Sequence, residues 1–492
     1  MLLNPADFEE ARQARDPRFD GRFFVGVLTT GIYCRPVCPV RIPKKENVQL
    51  YKSAAAAAAA GFRPCLRCRP ESSPGTSTWS GSSWKVSRAL QLVDQGFLDD
   101  RSVGDLADQL GIGARQLGRL FNEHLGASPV EVAQTRRLHF AKKLIDETDM
   151  KLSEICFAAG FGSIRRFNAV FQKTYGRSPK QLRGKRGAKR SAKGAIELRL
   201  SYRPPYDRRA VLTFLAYRAI PGVESVGDTS YARTFILDGI AGDLRADFEP
   251  DNNAIKVAIS YPKSCHLHLI VDRIRSLLDL RADSAQIDQF FTKDKLLAKA
   301  VKKFPGTHVP GCWDGFEVAI RAILGQQVTV KGASTLVARI VERHGMAYAG
   351  ADSELAYTFP GTEILADADL TGLGIVGRRI STIQAVASLI EEDELRIDRS
   401  METEQFISQI CQVRGIGEWT AQYIAMRALN DPNAFPHSDL ILRRAAAPGG
   451  KLTPKQLVAR AKSWQPWRAY AAILLWRLYQ FRQSTQSKDG QP

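Results

Sequence analysis

"ISQICQVRGIGEWTAQYIAMRALN" (407–430) reads as helix, Gly-Ile-Gly, helix. A turn of this kind points backbone N–H groups outward from a helix start, where a phosphate can sit. Gly415 and Gly417 are therefore candidate DNA contacts, although a glycine turn between helices is weak evidence by itself. Twenty-two residues beyond Gly417 stands Asp439, in "FPHSDLILRR" (435–444). Taken alone, Asp439 reads as a helix N-cap or as the ion-pair partner of Arg443 or Arg444.

Around this stretch lie 492 residues, too many for one core, so length predicts three or four domains. Hydrophobic residues at 44% and charged residues at 25% are ordinary for a globular protein, but a net charge of +19 is not. Such a balance calls for a polyanionic partner, nucleic acid before an anionic membrane. No apolar run approaches the roughly 20 residues a membrane span needs, and "MLLNPADFEEARQARDPRFD" (1–20) reads as neither a signal nor a transit peptide. The expected location is the cytoplasm, at the nucleoid.

Four of the eight cysteines fall in the first 70 residues, in "GIYCRPVCP" (31–39) and "GFRPCLRCRP" (61–70). Cys34-x3-Cys38, a gap of 26 residues and Cys65-x2-Cys68 place two thiol pairs on two turns. Each pair supplies two corners of a tetrahedron, the arrangement of a four-thiolate zinc site. From spacing alone the zinc is either structural or functional. Cys156, Cys265, Cys312 and Cys411 read as small buried hydrophobes. "CHLHL" (265–269) is not expected to bind metal, since it reads as a strand entering a helix and its neighbours point to opposite faces.

Along the chain, Ser/Gly/Pro-rich residues 72–83 read as a linker, and the alanines after Ser53 as a capped helix ended by Gly61. Residues 84–183 are helical in pattern, and the acid-free run "RGKRGAKRSAKG" (183–194) reads as a basic linker with affinity for phosphates. "AIELRLSYRPPYD", "YARTFILDG", "AIKVAISY" and "CHLHLIVDRI" read as strands, with helical stretches at 206–219 and 269–280. From Phe291 to Gln480 the pattern is again helical.

"FFVGVLTTGIYCRPVCPVRIPKKENVQLY" with "AAGFRPCLRCRP" resembles the N-terminal domain of the Ada adaptive-response proteins. The resemblance implies one Zn2+ on Cys34, Cys38, Cys65 and Cys68, with Cys34 accepting a methyl group from DNA methylphosphotriesters. Arg35, Arg41, Lys44 and Lys45 stand nearby to hold flanking phosphates. Methylation would remove one negative charge from the site and so raise its affinity for DNA.

"RSVGDLADQLGIGARQLGRLFNEHLGASP" (101–129) has the grammar of a helix-turn-helix, with Ser102 as cap and Ala114–His124 as second helix. "KLSEICFAAGFGSIRRFNAVFQKTYGRSP" (151–179) repeats the plan with Ser163–Tyr175, and "PVEVAQTRRLHFAKKLIDE" (129–147) joins the two. The pair resembles the AraC-type DNA-binding domain, whose two recognition helices enter successive major grooves. Arg115, Gln116 and Arg119 on one helix, and Ser163, Arg165, Arg166 and Asn168 on the other, are candidates to face DNA, each arginine as readily at a phosphate as at a base.

The hairpin with Asp439 is the arrangement of the helix-hairpin-helix DNA glycosylases. With "YRPPYDRRAVLTFLAYRAIPGVESVGDTSYARTF", "PGCWDGFEVAIRAILGQQV" and "WQPWRAYAAILLW", residues 195–482 resemble AlkA, the alkylated-base glycosylase. That resemblance implies hydrolysis of the N-glycosidic bond of bases of the 3-methyladenine and 7-methylguanine type, with Asp439 stabilising oxocarbenium character. It implies Trp419, Tyr423 and Trp476 as the aromatic pocket for a flipped base. Trp419 stands where bifunctional relatives carry a Schiff-base lysine, which implies no lyase activity. Gln327 stands at the position of the family's leucine wedge, and the carbonyls of Cys411, Val413 and Ile416 at that of a monovalent cation.

The expected architecture is multidomain: a small zinc α+β domain (1–75), an all-α tandem helix-turn-helix domain (84–183), an α+β AlkA-like N-terminal domain (195–290) and an all-α helix-hairpin-helix glycosylase domain (291–482). The methylguanine-methyltransferase domain that ends Ada has no counterpart, since no Pro-Cys-His-Arg signature occurs. Expected partners of a monomeric chain are double-stranded DNA, both alkylated and promoter, and RNA polymerase, with no membrane. The competing reading is a DNA-binding regulator with a structural zinc and an inactive glycosylase-like domain.

Overall fold

Gly31, at φ +63°, turns the chain so that β1 (Phe24–Val27) folds back on β2 (Ile32–Cys34), with Val25 opposite Cys34. β3 (Val48–Tyr51) pairs antiparallel with β1, and β4 (Arg63–Pro64) runs parallel to β2, giving the order β3-β1-β2-β4. The sheet thus carries Cys34 at the end of one inner strand and delivers the chain to Cys65 from its neighbour. Gly26 is required on β1, because a Cβ there would meet the Tyr51 ring at 2.7 Å.

The structure, a computed structural model, describes residues 5–74, 84–183, 195–350, 352–399, 401–447 and 450–489. Most of the expected linker at 72–83, and the basic run beyond Arg183, lie outside the described residues. Two compact units divide the chain: one holds residues 1–204, 246–275 and 280–283, and the other holds 205–245, 276–279 and 284–492. The residues expected as a third domain, 195–290, are therefore shared between the units.

In the first unit the alanines form the helix Ala54–Ala59, capped by Ser53, whose Oγ accepts Ala56 N–H at 3.0 Å. Small side chains let this helix pack closely: Ala55, Ala56 and Ala57 are buried. Ser53 Oγ also donates to Leu125 O at 2.7 Å, fixing the helix to the segment that follows. There the two helix-turn-helix units take the expected places. Val103–Gln109 and Ala114–Leu125 make one, and Leu152–Ala158 and Ile164–Tyr175 the other. Pro129–Glu147 is the joining helix, opened by a reciprocal Ser128–Glu131 cap. Leu106, Leu117 and Phe121 bury the first core, and Ile155, Phe167 and Phe171 the second.

The zinc-type sheet is fastened to the joining helix. The buried Tyr33 Oη lies 2.7 Å from Nε2 of the half-buried His139. Arg69 meets Asp146 at 3.0 Å and Glu147 at 3.2 Å. Lys142 and Lys143, which an amphipathic reading puts at the surface, are buried; Lys143 pairs with Glu147 at 3.0 Å, and Lys142 reaches Asp146 and Glu71.

The remaining strands are β5 (Ile196–Ser201), β6 (Glu224–Val226), β7 (Ser230–Leu237), β8 (Ile240–Glu249) and β9 (Ala254–Ser260). In the first unit β5 pairs antiparallel with β9, Leu198 opposite Val257. "CHLHLIVDRI" departs from expectation: Ser264–His266 is a 3₁₀ turn and Leu267–Leu277 a helix, with no strand at this stretch. Its apolar run is too short for periodicity to separate strand from buried helix. Cys265 is exposed rather than buried, and His268 Nε2 lies 3.0 Å from Gln95 O.

In the second unit β6 pairs antiparallel with β7, Glu224 opposite Arg233. Arg233 and Arg321 share the Glu317 carboxylate, each at 2.6 Å, and Arg321 also bonds Glu224. This buried network anchors the helix Gly315–Leu324, whose residues are buried almost all round. Val330–His344, Gly377–Glu391 and Glu418–Ala428 pack on it, Thr403–Ile410 packs on Glu418–Ala428, and Leu440–Ala445 packs on Arg468–Asp489.

Candidate functional site

Gly415 has φ +100°, and a Cβ there would meet Thr382 Oγ1 at 2.3 Å, so only glycine fits this turn. Gly417 caps the Glu418–Ala428 helix. Trp419 and Tyr423 follow one helical turn apart, with rings stacked at 5.5 Å and 6°.

Trp419 Nε1 donates to Asp439 Oδ2 at 3.1 Å, and Trp476 Nε1 donates to Asp439 Oδ1 at 3.1 Å. Asp439 Oδ1 also accepts Leu442 N–H at 2.9 Å as the N-cap of Leu440–Ala445. Three donors from three helices therefore hold one carboxylate. With Phe214 and Arg218 these residues line a cavity of about 950 Å³. The four pocket residues expected from the sequence thus come together in one place.

Gln327 is exposed at φ +55° on the loop after Gly315–Leu324. Its neighbour Gln326 ties that loop to the hairpin, donating to Gly415 O at 2.9 Å and Thr420 Oγ1 at 3.1 Å. Val328 and Val330, exposed beside Gln327, add an apolar edge that sequence reading missed. Of the three carbonyls expected to face a cation, that of Val413 accepts Ile416 N–H at 3.0 Å.

Sequence reading also missed Arg427, four residues after Tyr423. Its Nη1 donates to Tyr423 Oη at 2.9 Å, and its Nη2 to Gly311 O at 2.6 Å. The helical spacing was a usable signal. Arg218 and Phe214 come from far off in the chain and left no such signal.

In the first unit the sulfurs of Cys34, Cys38, Cys65 and Cys68 are buried and lie within 4.8 Å of one another. Four thiolates at ~2.3 Å from a tetrahedral zinc would be about 3.8 Å apart, so the donor set and its size fit that ion. Sulfurs packed this closely repel one another's charge and call for a cation. The Arg35 amide donates to Cys68 Sγ at 3.3 Å. Arg35 does not face a phosphate: its guanidinium is buried against Asp20 and Cys68 O. Arg41, Lys44 and Lys45 are exposed.

Arg115, Gln116 and Arg119 are exposed on Ala114–Leu125, and Arg165, Arg166 and Asn168 on Ile164–Tyr175. Ser163 serves as N-cap, accepting Arg166 N–H at 3.2 Å. Ile164, 46% exposed, adds an apolar contact that sequence reading missed, of the kind that meets a thymine methyl.

The family described as "Metal binding domain of Ada" matches residues 7–71, "Helix-turn-helix domain" 106–185 and "AlkA N-terminal domain" 197–314. "DNA-3-methyladenine glycosylase 2" of Escherichia coli is 31% identical over 280 residues, 56% of this chain and 95% of that protein. The solved structure of a 3-methyladenine DNA glycosylase from Archaeoglobus fulgidus shares the fold, with a TM-score of 0.52 and 22% identity over 57% of this chain and 98% of its own. "Probable bifunctional transcriptional activator/DNA repair enzyme AlkA" of Mycobacterium tuberculosis is 39% identical over 478 residues, 96% of each chain. With that likeness running through the cysteine cluster, both helix-turn-helix units and the Asp439 pocket, the chain belongs to the family of bifunctional transcriptional activator/DNA repair enzymes that join Ada-type to AlkA-type domains.

Proposed function

We propose that the chain answers DNA alkylation in three ways: it accepts methyl groups from backbone phosphotriesters at Cys34, binds promoter DNA through residues 84–183, and excises alkylated bases through residues 291–482 with the α+β segment 195–290. The observation that carries the excision reading is the Asp439 carboxylate, held by two indoles in the wall of a cavity large enough for a base.

A base flipped into that cavity stacks against Trp419, Tyr423 and Trp476. Cleavage breaks the C1′–N bond and the electron pair leaves with the base. The Asp439 carboxylate stabilises the positive charge left on the sugar, and water adds at C1′, losing its proton to solvent. Trp419, in place of a lysine, gives no amine to attack C1′, so the reaction stops at the abasic site. Gln327 with Val328 fills the gap left in the duplex, and Gly415 and Gly417 receive a phosphate. The carbonyls of Cys411, Val413 and Ile416 would hold a monovalent cation at the hairpin.

At the other site Cys34, Cys38, Cys65 and Cys68 would hold zinc, which when bound keeps all four sulfurs as thiolates. Cys34 Sγ attacks the methyl carbon of a phosphotriester; the C–O bond breaks and a phosphodiester anion departs. The thioether removes one negative charge, so promoter affinity rises, with Arg115, Gln116, Arg119, Arg165 and Arg166 at the DNA. The chain acts as a monomer in the cytoplasm and contacts RNA polymerase at the promoter.

The test is release of 3-methyladenine and 7-methylguanine from alkylated duplex by wild type and Asp439→Asn, with mass spectrometry of peptide 31–41 after exposure to methylated DNA. Release equal in both proteins, or no mass gain on that peptide, overturns the corresponding half of the reading.

A further inference from the structure

The helix Arg208–Ala216 runs along the cavity of Asp439, to which it gives Thr213 and Phe214. Asp207 caps its start, accepting Ala210 N–H at 3.0 Å. Tyr217 closes its end, with its N–H on Thr213 O at 3.1 Å. The Tyr217 side chain lines the same cavity yet is 69% exposed, and no other large apolar side chain among the described residues is as open to solvent.

The backbone beside this ring is fixed. Arg218 lays its guanidinium on the Phe214 ring, 3.7 Å from the centroid, and its Nη1 donates to Phe214 O at 3.2 Å. The Arg218 carbonyl accepts from Arg321, which is itself held by Glu224 and Glu317. Tyr217 is thus an exposed ring on a rigid support.

A single exposed apolar side chain is ordinary on a protein surface. Position sets this one apart. A side chain that both lines the cavity and stands in solvent lies at its mouth. Val328 and Val330, exposed on either side of Thr329 beyond Gln327, line the cavity too and share that rim. Arg209, another lining residue, is exposed, and Lys331 follows Val330 at the surface. The rim therefore offers apolar contacts flanked by positive charge, the combination that suits an opened stretch of DNA.

We infer that Tyr217 is a further DNA-positioning residue: its ring stacks on a base next to the flipped nucleotide, on the face that flipping lays bare, and so holds the duplex open. The inference rests on the glycosylase reading and deepens it. A base enters the cavity only through its mouth, so the nucleotides on either side of it come to rest on the rim. Its departure bares two base faces. The amide of Gln327 and the small side chain of Val328 cover less area than a departed purine did. A tyrosine ring supplies flat apolar area and loses little conformational freedom in doing so. Selection of the base is left to the cavity itself.

Duplexes with one tetrahydrofuran abasic site, which offer a gap but no base to release, are compared with intact duplexes of the same sequence. Binding to the full-length, zinc-loaded protein is read by fluorescence anisotropy of labelled DNA. Wild type should prefer the abasic duplex, and Tyr217→Ala should lower that preference about tenfold. Tyr217→Phe and Tyr217→Trp, which keep a ring, should stay within about twofold of wild type. 2-Aminopurine, placed on either side of the abasic site in turn, should be quenched on one side by wild type and Tyr217→Phe and stay bright with Tyr217→Ala. No abasic preference in wild type, an unchanged preference in Tyr217→Ala, an equal loss on intact duplex, a Phe variant as weak as Ala, or the same 2-aminopurine emission with wild type and Tyr217→Ala overturns the inference. Because these duplexes carry no base to excise, the answer does not depend on catalysis; failure to release bases from alkylated DNA would end the glycosylase reading separately.

Discussion

Trp476 Nε1 lies 3.1 Å from Asp439 Oδ1, and that same oxygen accepts the Leu442 amide at 2.9 Å. The residue that reads in the sequence as a helix cap is thus a cap and a pocket carboxylate at once. Capping fixes the carboxylate on the end of Leu440–Ala445, and the indoles of Trp419 and Trp476 aim it. A carboxylate held there is the group that would stabilise positive charge on a sugar.

Asp439→Asn should separate the two roles. Asparagine caps a helix about as well as aspartate, so the melting temperature should stay close to wild type. The lost charge should slow single-turnover base release by roughly 10²–10³. Asp439→Ala should be equally slow and in addition less stable by about 1 kcal/mol, since the cap goes too. Release and thermal denaturation of the two variants check both statements.

Trp476→Phe keeps a ring in the pocket and removes the N–H that Asp439 Oδ1 accepts. Single-turnover release should fall about tenfold, with little change in affinity for abasic duplex. An equal loss in rate and affinity would mean that the indole serves only as a stacking surface.

What the sequence made legible follows how local each signal is. Ser102, Ser53 and Asp439 mark helix starts through bonds made within three residues, and all three caps form. The cysteine spacing carries its own geometry. The burial of Lys142 and Lys143 leaves no local signal, because it depends on Glu71 and on the Arg199 carbonyl, distant in the chain. β8 was overlooked although Leu244, Ala246 and Phe248 alternate inward, a period of two that Asp243, Arg245 and Asp247 obscure. Arg218 reaches Tyr423 from 205 positions upstream, and no local pattern announces such a contact.

Removing zinc should undo the N-terminal sheet. Its apolar clusters are small, centred on Ala11, Phe23 and Val25 and on Phe24, Tyr33 and Ala57, so metal binding supplies much of its stability. A strong chelator should make Cys34, Cys38, Cys65 and Cys68 reactive to thiol reagents and open residues 5–74 to protease. Added zinc should restore protection, and base release should be unaffected throughout. Thiols that stay protected after chelation would show that the sheet holds without metal.

His308 should impose an acid limit on the glycosylase unit. The ring packs 4.0 Å from that of Tyr206, Nδ1 lies 2.8 Å from Gly306 O, and burial lowers its pKa to about 4. In the unfolded chain the imidazole titrates near 6.5. The fold therefore binds this proton less readily than the unfolded state does, and stability falls as protons are added. The contribution is fully present above pH ~6.5 and is lost as the pH drops towards 4, by at most about 3 kcal/mol. Denaturant unfolding across this window should show the loss in wild type. In His308→Gln, which cannot take up the proton, the slope should shrink even where the variant is less stable throughout. Parallel slopes in the two proteins would show that the imidazole reaches water and titrates normally.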